Sequence, residues 1–175
     1  AEHSRAALVV VTRFPEDGRL ALTGEEQALI AAVTAAFPRT VLVLNTPGFL
    51  ELGDAARICS AVVFMGVAGQ EAGHALCDLL TAKLMPAGRL AHSWPLRLAD
   101  FDEAADAADR FSGYRYFDSF GTELLYPFGF GLTYGKAELG SVSMGLDGTD
   151  AVVTAEVLNT GTVWPLQEVV QVYVS

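Results

Sequence analysis

Two cysteines in 175 residues are too few for a disulfide framework, and no C-x-x-C pair or His/Cys cluster suggests a metal site. Cys59 and Cys77 read instead as small hydrophobes suited to burial. Basic residues are scarce as well: 11 Lys and Arg stand against 21 Asp and Glu, a formal net charge of −10. Such a chain repels a phosphate backbone or an anionic lipid surface, so neither nucleic acid nor membrane is an expected partner. A small neutral ligand such as a sugar suits the charge, although acidity alone does not select one. No apolar run reaches the ~18 residues of a membrane span. Ala1-Glu2-His3-Ser4-Arg5 lacks the basic-then-apolar layout of a signal peptide and reads as a cut inside a longer protein, which leaves the compartment open. G-x-G-x-x-G, G-x-x-x-x-G-K-[ST] and G-x-S-x-G are missing too. No nucleotide cradle is therefore expected, no serine triad around His74 or His92, and no cofactor.

What the chain does have is apolar residues. They make up 51% of it, with only 18% charged, enough for one good core or one domain with part of a second. Ala6 to Thr12 is a valine-rich run that predicts a strand buried on both faces. Thr23 followed three residues later by Glu26 is a capping-box signature. Behind it Ala28, Leu29, Ala32, Val33 and Ala36 recur at helical spacing until Pro38. Further strands are predicted at Thr40–Leu44, Ser60–Met65 and Arg89–Trp94, with weak helix over Glu51–Ile58 and a clear one over Gln70–Lys83. Short apolar strands alternating with helices predict parallel β-α-β units: a three-layer αβα sandwich with a mostly parallel sheet. Ligands gather at the carboxyl ends of such strands. Here those ends lead into Arg13–Arg19, Asn45–Gly48 and Gly66–Gln70.

Leu96 to Arg110 is rich in Ala and Asp and reads as a solvated connection. Phe111 to Tyr134 is dense in aromatics, with Pro and Gly that forbid a long helix, so its rings are expected to pack along an extended, looping path. Ala137–Leu146 and Ala151–Leu158 alternate apolar and polar around an Asp147-Gly148 turn signal, and Glu168–Val174 alternates again.

Three ordered segments carry a resemblance. Gly69-Gln70-Glu71-Ala72-Gly73-His74-Ala75-Leu76-Cys77-Asp78-Leu79-Leu80 with Met85-Pro86-Ala87-Gly88-Arg89-Leu90 resembles the GQE-GG…A-D-L…P-x-GRL stretch of glycoside hydrolase family 3, the β-glucosidase-like enzymes. Gly113-Tyr114-Arg115-Tyr116-Phe117-Asp118 and Tyr126-Pro127-Phe128-Gly129-Phe130-Gly131-Leu132-Thr133-Tyr134 resemble the aromatic linker of that family. Val157–Gly161 with Glu168–Val174 resembles the opening of its fibronectin type III-like module. Ala68 stands where the family usually has proline, and Ala72 where it has glycine. The resemblance implies a domain over residues 1–135 (the family's C-terminal α/β sandwich domain with its linker). It also implies a partial fibronectin type III-like β segment over 136–175, since a complete immunoglobulin-like sandwich needs ~100 residues.

Retaining glycosidases use two carboxyl groups, a nucleophile and a general acid/base. In the resembled family the nucleophilic aspartate belongs to a (β/α)8 barrel and the acid/base glutamate to a loop of the sandwich domain. Arg13-Phe14-Pro15-Glu16-Asp17-Gly18-Arg19 stands where the family often has an R-x-S-G-E-G-x-D-R type of sequence, with Phe-Pro in place of Ser-Gly and the Asp at 17. Glu16 is thereby the candidate general acid/base, although the same residues also make an ordinary exposed turn. Glu71 reads as a first-turn carboxylate serving its own helix, Asp78 and Asp118 as structural hydrogen-bonders, and His74 as a helix-surface or packing residue. The barrel's Ser-Asp-Trp and Lys-His signatures are absent, so the fragment alone is expected to be inactive. The implied partners are a carbohydrate substrate and the protein's own barrel. The alternatives are a non-catalytic carbohydrate-binding or domain-docking module, and a free-standing flavodoxin-like binder of small molecules.

Overall fold

The computed structural model describes residues 4–18, 20–101, 111–161 and 163–174, with the side chain of Asp17 outside the description. The N-terminal tripeptide, Arg19 and most of the connection read at 96–110 lie outside the described residues. The chain forms two compact units. One comprises residues 1–70 and 92–128, and the other residues 71–91 and 129–175.

The first unit is built on three parallel strands in the order β1 (Ala6–Thr12), β2 (Arg39–Asn45) and β3 (Ala61–Phe64). Continuous Val and Leu runs suit this arrangement because apolar side chains, with β-branched Val favoured in strands, fill a pleated surface that is covered rather than wetted. Leu42, Val43 and Leu44 of the central strand are almost completely buried. β1 alternates instead: Val9 and Val11 are buried while Leu8 and Val10 face outward, so it is not covered on both faces.

Helix α1 (Gly24–Ala36) starts on the expected box. Thr23 Oγ1 accepts from Glu26 N at 3.2 Å and a Glu26 carboxylate oxygen accepts from Thr23 N at 2.9 Å. Its buried side is Ile30, with Glu26, Val33 and Phe37 part-buried near it, whereas Leu29 is exposed. An alanine-rich helix has apolar residues on more than one side, so spacing alone does not choose its face; the contacts of α1 with β1 and β2 do. Short α2 (Ala55–Ile58) leads into β3.

The expected fourth parallel strand does not form. Only Trp94–Pro95 (β4) is extended, and it pairs antiparallel with Leu124–Tyr126 (β5) in a separate two-stranded sheet. The indole of Trp94 decides the path here: it is 2% exposed and donates to Leu50 O at 2.9 Å. Around it stand Phe64 at 5.2 Å, Phe49 at 5.8 Å and Tyr126 at 6.4 Å between ring centroids. The aromatic stretch is not wholly extended either. Tyr114–Phe120 is a short helix (α4) between Gly113 and Gly121, both at positive φ, with Phe117 buried.

In the second unit α3 spans Ala72–Leu80, shorter than the predicted Gln70–Lys83, and Glu71 is its N-cap residue. Ala82 at φ 58 breaks the helical path after Leu80. β6 (Ala137–Asp147) and β7 (Asp150–Asn159) form the expected hairpin, with Gly148 at positive φ in its turn and a bulge between Leu139 and Val142. Glu168–Val174 is not a strand. Alternation marks side chains, but a strand exists only where backbone groups meet a ladder, and among the described residues these do not. The segment is held by side chains instead: Arg89 pairs with Glu168, and Gln171 lies against Gly129.

The candidate active site at the carboxyl edge of the sheet

Register brings the three strand ends to one edge. Thr12 lies opposite Asn45, and Leu44 opposite Phe64, so the loops that follow leave side by side. Asn45, on the central strand, ties its neighbours together. Its carbonyl accepts from Arg13 N at 3.0 Å and its side-chain oxygen from Ala68 N at 3.4 Å. Met65 N reaches Leu44 O at 2.8 Å, and Gly66 at φ 65 turns the chain after it.

The loop after β1 is closed at its base. Arg13, although charged, is buried; its guanidinium donates to both Glu26 carboxylate oxygens at 2.8 and 2.6 Å, to Thr12 O at 2.9 Å and to Ala21 O at 3.4 Å. The returning strand is held by Leu22 N on Glu51 O at 3.1 Å and Glu51 N on Leu20 O at 2.7 Å. At the far end of the loop Pro15–Asp17 form a single 3-10 turn, and Gly18 at φ 58 begins the return. Glu16 sits in that turn. It is exposed and has no hydrogen bond or ion pair among the described residues. Phe14 beside it is 59% exposed, so the apolar cover such a carboxyl would need is not supplied by this neighbour.

Two other carboxylates of the first unit are engaged. The Arg13 guanidinium holds Glu26 down to about 2, with further help from the Thr23 backbone against the opposing effect of burial. Glu51 accepts from Leu98 N at 2.9 Å. In the second unit Glu71 lies 2.7 Å from His74 Nδ1, and both side chains are solvent-exposed, so this pair serves the start of α3 and His74 is a helix-surface residue. Asp78 meets Lys83 Nζ at 3.4 Å at the helix end, and Asp118 is exposed. Cys59 is buried, with its thiol pushed up by desolvation, while Cys77 is exposed, contrary to its expected burial. His92 stacks on Trp94 at 5.8 Å and lies edge-on to Phe64; burial pushes it down, which favours the neutral ring.

Two features escaped a reading of separate motifs. Glu26 serves the capping box and Arg13 at once, and Asn45 couples three loops. The signal for the first was an Arg directly after a strand with a capping-box Glu at the start of the next helix.

The fold is an α/β domain built on a parallel sheet, a class whose ligands commonly gather at the carboxyl edge. The chain belongs to the glycosyl hydrolase family 3 C-terminal domain family, which matches residues 1–134. It is 37% identical over 172 residues to a β-glucosidase of Rhizobium radiobacter, covering 87% of this chain and 20% of that protein. It is 33% identical over 166 residues to an exo-α-(1→6)-L-arabinopyranosidase of Bifidobacterium longum, covering 89% of this chain and 22% of the relative. The solved β-glucosidase 3B of Thermotoga neapolitana in complex with glucose superposes at a TM-score of 0.81 with 26% identity, over 91% of this chain and 26% of that one. The chain thus spans about a fifth of the length of these curated relatives. It is a glycoside hydrolase domain.

Proposed function

We propose that this domain supplies the acid/base side of a retaining, β-glucosidase-like active site, with Glu16 as the proton donor. A (β/α)8 barrel elsewhere in the parent protein contributes the nucleophile. On this reading residues 1–135 are the family's three-layer sandwich domain with its aromatic linker, and residues 136–175 open a fibronectin type III-like module. The chain alone is then catalytically inactive, because one carboxylate cannot be both nucleophile and acid.

One observation carries the reading: Glu16 stands unengaged on an exposed turn at the carboxyl edge of the sheet, while Glu26 and Glu51 are bound in place. A proton donor must reach a glycosidic oxygen held by another domain, and a projecting turn has that reach. The names of the relatives make β-glucosides the first substrates to try.

The test is Glu16→Gln in the full-length enzyme. With leaving groups that need a proton, kcat/KM is expected to fall by roughly 10²–10⁴-fold. With activated aryl glucosides, which need none, the first step is largely spared. Equal loss on both would point to a binding or folding defect. Full activity on both would remove Glu16 from the site and favour a non-catalytic module.

A further inference from the structure

We propose that Arg13 is a positioning residue for the proton donor: it closes the neck of the loop that carries Glu16 and so fixes where that turn stands. The proposal rests on the reading of Glu16 as acid/base. Its own ground is the hydrogen-bond geometry at the base of the loop.

A single guanidinium bridges the residue where the chain leaves β1 and the residue where it returns, through Thr12 O at 2.9 Å and Ala21 O at 3.4 Å. The same group is held by a forked pair of bonds to Glu26, at 2.8 and 2.6 Å. Such a fork fixes orientation as well as distance, which a lysine ammonium does not. Glu26 is itself anchored in the first turn of α1 by Thr23 N at 2.9 Å. The neck is therefore referred to a helix start and a strand end, two regular elements with hydrogen-bonded backbones. The main chain of Arg13 adds a third reference, donating to Asn45 O at 3.0 Å on the central strand.

Among the described residues Glu16 makes no hydrogen bond, so the position of its carboxyl is inherited from the neck. General acid catalysis needs the carboxyl within hydrogen-bond reach of the leaving oxygen, and a 1 Å misplacement costs on the order of 10²-fold. The Arg13–Glu26 pair is also well placed to persist, because the carboxylate stays ionised down to about pH 2.

The experiment uses the full-length enzyme and aryl β-glucosides of graded leaving-group basicity, comparing wild type, Arg13→Lys, Glu16→Gln and the double variant. Arg13→Lys keeps the charge and an expected fold, which thermal unfolding verifies. Its loss in kcat/KM should deepen as the leaving group becomes more basic, to roughly 10²-fold on the poorest, and stay within a few-fold on the most activated. The double variant should be no steeper than Glu16→Gln alone, since Arg13 acts only through that carboxyl. A uniform loss across the series, or none, would overturn the positioning role and leave Arg13 a fold-supporting residue. If Glu16→Gln is itself flat, the acid/base reading falls and the proposal falls with it. A steep Glu16→Gln with a flat Arg13→Lys overturns the positioning role alone.

Discussion

Arg89 and Glu168 form an ion pair across 79 positions of chain, their side chains only 11% and 21% exposed. The Pro-x-Gly-Arg-Leu turn is thus the anchor of a distant segment as well as a link between elements. Glu168 is held below the usual carboxylate range first by its hydrogen bond from Val169 N, then by the guanidinium.

Removing either partner leaves a charge in a partly dry place. Arg89→Leu or Glu168→Gln is expected to cost roughly 1–3 kcal/mol and to open the 166–174 stretch to proteolysis. A double-mutant cycle should show coupling between them. Additive losses would mean that the pair contributes only through separate packing.

Gly131→Ala should be destabilising for a different reason. An added Cβ would run into the carbonyl oxygen of Gly88, which is backbone and cannot swing aside. The strain falls on a small antiparallel contact in which Leu90 N meets Phe130 O at 2.9 Å and Gly129 N meets Leu90 O at 2.8 Å. A loss of about 1–3 kcal/mol is expected, read from denaturant unfolding. A neutral result would show that this contact gives way without cost.

Trp94 has a spectroscopic signature. It is 2% exposed whereas Trp164 is 39% exposed, so acrylamide should quench the two unequally. Trp94→Phe should remove the blue-shifted, protected component and, by orphaning Leu50 O, cost about 1–3 kcal/mol. Retention of the protected component in that variant would contradict the burial described.

Acid should weaken the neck of the β1 loop. Glu26 falls from an ordinary 4.5 to about 2 in the folded protein. A depressed carboxylate stabilises the fold above its unfolded value, and that contribution disappears as pH falls from 4.5 toward 2. It is worth on the order of 1–3 kcal/mol at neutral pH, since Arg13 is buried and Glu26 part-buried. Glu26→Gln should therefore flatten the acid limb of stability in that window. An unchanged limb would assign acid sensitivity to other groups.

The elements legible in the sequence were those with local signals. β1, β2 and β3 announced themselves as valine and leucine runs, α1 by its capping box, and the hairpin by Asp147-Gly148. Trp94–Pro95 did not, because its partner is Leu124–Tyr126 and no local pattern names a strand's neighbour. Glu168–Val174 misled for the mirror reason: the alternation is there and the ladder is not. Glu16, proposed from the family resemblance of the loop after β1, sits on an exposed turn at the sheet's carboxyl edge. The Arg13–Glu26 pair was missed because each residue already had an explanation of its own, one as a motif letter and the other as a cap.

The return of Trp94 to Leu50 also sets an order in time. β1, β2 and β3 pair in the order in which they are made, so the parallel sheet can assemble before Trp94 leaves the ribosome. The roof over Leu50 arrives much later, with the indole and then with Leu124–Tyr126. Until then Phe49, Leu50 and Phe64 lack their aromatic cover, and a stalled or truncated nascent chain would present a sticky surface to chaperones.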